Sequence, residues 1–158
     1  MHLFPLLTTH HLPIFRVAFV RAQNNLLQGF IPYGVSELTN LRELYLNSNG
    51  LYGDLPLNIG MMERLEDFRV NENELQGELP DSLYNLLNIK KLWLQDTLKC
   101  EQVDFNWKCV ADSEFGFEGS IHTEIGNLRK LSQLLINNNP IDGTLPTELG
   151  LCENLCKF

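Results

Sequence analysis

Four cysteines, four histidines and twenty carboxylates are the side chains of this 158-residue chain that could do covalent, metal or acid–base work. Their spacing argues against all three. Cys152 and Cys156 form a CxxxC pair and Cys100 and Cys109 flank "EQVDFNWK", spacings that do not suit a tetrahedral zinc site, and no histidine stands at a matching distance. His10 and His11 fall in the first segment, and His122 occupies a slot where copies of a repeated unit carry proline. No serine sits in a nucleophile elbow, no glycine-rich loop opens a helix, and the carboxylates scatter over polar positions. The expected catalytic residues, metal and cofactor are therefore none, and an enzyme is not expected.

Four cysteines could also mean disulfides or core thiols. Cys152 stands in register with Leu38, Met62, Leu86 and Leu128, so it reads as a buried small hydrophobe. Cys156 matches Ser132 one unit earlier and is expected nearer the surface. Cys100 with Cys109 is the favoured disulfide, which would fit an oxidising compartment.

The elements that position these side chains are written in copies. "NLLQGFIP" starts at Asn25, "NGLYGDLP" at Asn49, "NELQGELP" at Asn73 and "NPIDGTLP" at Asn139, with a worn copy, "FGFEGSIH", over residues 115–122. Internal repeats of this length stack into solenoids. In the unit "LRELYLNSNGLYGDLP", Leu41, Leu44, Leu46, Leu51 and Leu55 are apolar, and Asn49, Gly53 and Pro56 mark bends. The LxL segment alternates like a strand with one buried face, and such a strand buries that face only by stacking beside its copies. The asparagines Asn25, Asn49, Asn73 and Asn139 are expected to form a ladder that pairs backbone groups where the chain leaves the sheet. The reading is an array of about five 24-residue repeats over 17–158 with an insertion at about 98–114, and a degenerate or truncated first repeat at 1–16, where Ile14 precedes Leu38 by one step.

A net charge of −8 without a basic stripe excludes a nucleic-acid binder. No apolar run is long enough to cross a bilayer, the first fifteen residues make a poor signal peptide, and no N-glycosylation sequon is present.

The "NxLxGxLP" and "NxLxGxIP" units resemble the plant-type leucine-rich repeat, as found in receptor-like kinase and receptor-like protein ectodomains and in polygalacturonase-inhibitor-type proteins. The resemblance implies an α/β-type solenoid: a right-handed coil with a parallel sheet on its concave side and short 3₁₀ or irregular convex segments. It also implies non-catalytic recognition of a protein or peptide ligand, with carbohydrate less favoured, outside the cell or at its surface through a longer parent chain. A cytoplasmic scaffold and an architectural spacer are the alternatives. No cysteine-bearing cap is evident, so a fragment, or end-to-end self-association through uncapped ends, is expected.

Alternation along each strand assigns a concave column of Arg21, Tyr45, Arg69, Trp93 and Leu135, rich in the residue types that dominate binding hot spots. Two positions on stand Gln23, Asn47, Asn71, Gln95 and Asn137; of these Asn47, Asn71, Gln95 and Asn137 join the candidate ligand site. Phe105 and Trp107 in the insertion are a second candidate contact, against the alternative of a tolerated surface excursion. Tyr45, Arg69 and Trp93 could equally stack on one another without a ligand.

Overall fold

The computed structural model describes residues 17–96, 100–103, 106–109 and 116–158, with the 100–103 and 106–109 segments described as backbone only. Strands are numbered in chain order. Five three-residue strands form one parallel sheet in the order β1 (Phe19–Arg21), β3 (Glu43–Tyr45), β5 (Asp67–Arg69), β7 (Lys91–Trp93) and β11 (Gln133–Leu135). The middle residue of each strand points inward, and Val20, Leu44, Phe68, Leu92 and Leu134 stack in register. From Leu44 to Leu134 this column is at most 2 % exposed. It continues into Leu41, Leu65, Leu131, Met62, Leu86 and Leu128, so one core runs the length of the stack.

Among the described residues, five 3₁₀ turns lie opposite the sheet: Tyr33–Glu37, Ile59–Met61, Asp81–Asn85, Thr123–Asn127 and Thr147–Leu151. Pro32, Pro80 and Pro146 precede three of them at φ −66 to −67°, the angle their ring imposes. His122 takes φ −77° at the same slot, so a residue without the ring still makes the bend.

A second parallel sheet was not foreseen from the sequence. β2 (Gln28–Gly29), β4 (Gly50–Gly53), β6 (Glu74–Glu78) and β10 (Gly116–Glu118) pair along the side of the coil. Its register differs from that of the first sheet. There, partners stand 24 apart (Glu43 beside Asp67), whereas here Gln28 faces Gly50 and Tyr52 faces Glu74, 22 apart. A two-residue slip keeps each side chain on its face, so this sheet closes without disturbing the core.

Glycines at the bends do two jobs. Gly53 and Gly77 take φ +79° and +77°, in the left-handed region. A Cβ on Gly53 would also stand 2.5 Å from the Phe30 ring, and one on Gly77 would stand 2.6 Å from the Asp54 carboxylate. Each glycine therefore seats a side chain of the preceding coil. Gly60 is tighter still: a Cβ there would approach the Ser82 carbonyl oxygen to 2.1 Å. Gly60→Ala should lower stability by about 2 kcal/mol, while Gly150→Ala, with nothing within 4 Å, should stay within about 0.5 kcal/mol of the parent. Urea unfolding of the two variants checks the contrast.

Candidate ligand-binding face

The asparagine ladder fixes the coils that carry the face. Asn73 Nδ2 donates to Val70 O at 2.9 Å in its own coil and to Leu46 O at 3.1 Å in the preceding one, while its Oδ1 accepts from Leu51 N at 3.0 Å. Asn49 repeats the pattern with Leu46 O, Ala22 O and Leu27 N. Asn25 bonds Ala22 O and Gln23 O. Asn139 reaches Ile136 O at 2.9 Å and Leu94 O at 3.0 Å and accepts from Phe117 N at 3.0 Å. Leu94 precedes the insertion and Phe117 follows it, so Asn139 holds both flanks in one coil and the sheet passes straight from β7 to β11. The residue before each ladder asparagine takes a left-handed φ of 55–57°, namely Asn24, Ser48, Glu72 and Asn138, and so does Asp96, which precedes Thr97 in the matching position. Asparagine and aspartate tolerate that region best. Ser48 and Glu72 are bonded to each other, Oγ to Oε2, at 2.6 Å.

On this frame the concave column is a continuous stack of rings and cations. The Arg69 guanidinium lies 3.9 Å from the Trp93 ring centroid and 4.4 Å from that of Tyr45. Arg21 lies 5.7 Å from Tyr45 on its other side and 5.4 Å from Phe19, and Lys157 stands 5.8 Å from Trp93. Under Arg69 sits Asp67, 7 % exposed. It accepts a bidentate pair from Arg69 Nε and Nη2, each at 2.8 Å, and the Tyr45 hydroxyl at 2.9 Å. Burial, with the Asp67 bond adding to it, pushes the Tyr45 phenol up to about 12. The Asp67 hydrogen bonds hold the Arg69 pKa above its ordinary value. The Trp93 indole donates to Gln133 Oε1 at 3.2 Å, and Leu135 is its register partner on β11.

Sequence reasoning missed Asp67. The signal was available: it is the aspartate two residues before Arg69 on the same strand face, where a bidentate pair can close. It also missed a cavity of about 380 Å³ beside the column, lined by Phe19, Arg42, Glu43, Glu66, Asp67 and Lys91 among others. There Glu66 bridges Arg42 and Lys90, each at 2.6 Å, and the Lys90 hydrogen bond is the main reason its carboxyl is held below the usual range.

The amide row behaves unevenly. Asn71 is 3 % exposed, and the side-chain oxygens of Asn71, Gln23 and Gln95 meet no protein partner among the described residues. Asn47 Nδ2 bonds Ser48 Oγ at 3.3 Å, and Asn137 is exposed. In the insertion, β8 (Cys100–Val103) and β9 (Asn106–Cys109) form an antiparallel hairpin whose register sets Cys100 opposite Cys109 and Gln102 opposite Trp107. Phe105 and the side chains of Trp107, Cys100 and Cys109 lie outside the described residues. Cys152 is buried, which pushes its thiol up, and Cys156 is exposed; both are free.

A family model described as Leucine Rich Repeat matches residues 40–62. The fold agrees over nearly the whole chain: the crystal structure of a TDR receptor superposes at TM-score 0.71 with 28 % identity over 87 % of this chain. The chain has a leucine-rich-repeat fold and is similar to this receptor. The ectodomain of the Arabidopsis receptor kinase HAESA, in complex with an N-terminally extended IDA peptide hormone, is 25 % identical over 83 % of the leucine-rich-repeat chain at TM-score 0.66. The SOBIR1 receptor kinase ectodomain from Arabidopsis thaliana shares the fold at TM-score 0.72, with 24 % identity over 88 %. This leucine-rich-repeat chain spans 21 % of the TDR chain, 19 % of the HAESA chain and 66 % of the SOBIR1 chain. No curated protein sequence matches it significantly.

Proposed function

We propose that the concave face recognises an extended peptide or protein segment, without catalysis, as part of a receptor-like protein outside the cell or at its surface. The observation that carries this reading is the Tyr45–Arg69–Trp93 stack held from beneath by Asp67. Hot-spot side chains held rigid on an open sheet lose little freedom when a ligand arrives. Asp67 neutralises Arg69, so the stack offers flat apolar and π surface rather than a free cation. An anionic ligand gains little there. The peptide complex of HAESA, a structural relative, favours the same class of ligand.

A peptide selected from a random display library against the immobilised chain supplies a probe. Trp93→Ala should weaken it at least tenfold, the loss of a central anchor, with unfolding otherwise unchanged. Equal affinity for parent and variant would remove the concave face from the account.

The outside location carries its own expected result. The disulfide this location calls for is Cys100–Cys109: the two are register partners on antiparallel strands, and such partners stand about 4.5–5.5 Å apart at Cα, within the reach of a disulfide. Protein purified without reductant and then denatured should take up iodoacetamide at Cys152 and Cys156 only. Labelling of all four cysteines would favour the cytoplasmic scaffold.

A further inference from the structure

The side of the coil that carries the second sheet differs in chemistry from the concave face. Phe30 and Tyr52 meet edge to face at 4.7 Å, and Phe30 rests on the bare face of Gly53. Phe30, Tyr33 and Leu57 are 67 %, 67 % and 72 % exposed, and Tyr52 is 42 % exposed. Tyr33 and Leu57 occupy matching slots one repeat apart, and register places Phe30 beside Tyr52, so the four make one apolar patch. Beyond it the same stretches, 28–33, 50–57, 74–81, 116–123 and 140–147, carry Asp54, Glu74, Glu78, Asp81, Glu118 and Asp142 and no lysine or arginine. Against a chain net charge of −8, most of the imbalance is concentrated here. Glu78 and Glu118 are register partners, an arrangement of like charges that opposes pairing.

We propose that this side face docks a second protein whose surface presents an apolar centre rimmed by lysine and arginine. An exposed apolar patch bordered by charge of one sign marks an interaction surface, and complementary charge selects the partner and speeds its arrival. A second copy of this chain would set carboxylates against carboxylates. Residues 1–16 contain a single arginine, Arg16, and no lysine, too little to answer six carboxylates. The ring pair is already fixed against Gly53, so docking orders few side chains.

The test uses the full chain and two helical peptides of equal length as probes, one of leucine and lysine with an amphipathic pattern and one of leucine and glutamate. The leucine–lysine peptide should bind one to one, and the leucine–glutamate peptide should not bind. Tyr52→Ser and the double variant Glu78→Lys/Glu118→Lys should each weaken the former at least tenfold with circular dichroism unchanged; the charge variant alters exposed side chains only. Unchanged affinity in Tyr52→Ser would reduce the effect to bulk charge and overturn the proposal. So would a parent dimer that Tyr52→Ser separates, which makes a second copy the occupant, or a severalfold gain on deleting residues 1–16, which makes that segment the occupant. None of these outcomes bears on Trp93 and the concave face.

Discussion

Asn73→Ala is expected to lower the unfolding free energy by about 4 kcal/mol, the largest effect of any single substitution considered. The amide is 4 % exposed and donates to carbonyls of two coils while accepting an N–H from the preceding one. Removing it strands Leu51 N and the Val70 carbonyl, where water cannot reach them readily, and leaves the Leu46 carbonyl with its Asn49 bond alone. Each buried group left without a partner costs about 1–3 kcal/mol. Asn25→Ala removes the same residue type at an exposed slot, where its side-chain bonds among the described residues stay within its own coil. Its cost should stay below about 1 kcal/mol. Urea denaturation of the pair checks the ratio, with the slope showing whether the stack still unfolds as one unit.

Asp67→Ala should follow at about 3 kcal/mol, since it leaves a partly buried arginine between two rings without its counterion and a tyrosine hydroxyl without an acceptor. The surface pair Arg42–Glu66 is geometrically as short, 2.6 Å, but the Arg42 side chain is 54 % exposed. Arg42→Ala should therefore cost no more than about 1 kcal/mol. A spectrophotometric titration gives an independent readout. One phenol in the parent should ionise near 12, and in Asp67→Ala it should fall only part of the way toward 10, because burial is the larger cause of the shift. The sign for stability follows directly. Tyr45 keeps its proton longer when folded, so its contribution is complete below pH 10 and declines as pH rises from 10 to 12.

Much of this was legible in the sequence because each repeat states its own geometry. The LxL alternation located the five concave strands, and the recurring asparagine located the ladder before its partners were visible. The stacking of Tyr45, Arg69 and Trp93 was legible as a column, since alternation alone puts those side chains on one face. The second sheet was not. Its strands, such as Gly50–Gly53 and Glu74–Glu78, are rich in glycine and polar residues and lack β-branched side chains. They form because stacking of the coils brings their backbones side by side, a tertiary cause that local propensity does not record. The acidic side face shares that origin: its carboxylates are scattered along the sequence and gather only when the coils are superposed.

Recognition at the proposed concave column has one direct reporter. Trp93 and Trp107 are the two tryptophans of the chain, so Trp107→Phe leaves Trp93 emission as a probe of the stack. Titrating the library-selected peptide into that variant should shift or quench the Trp93 emission along a saturating curve whose midpoint matches the affinity measured by calorimetry. Full binding with emission unchanged, or binding lost through Trp107→Phe itself, would place recognition in the insertion or elsewhere and contradict the account.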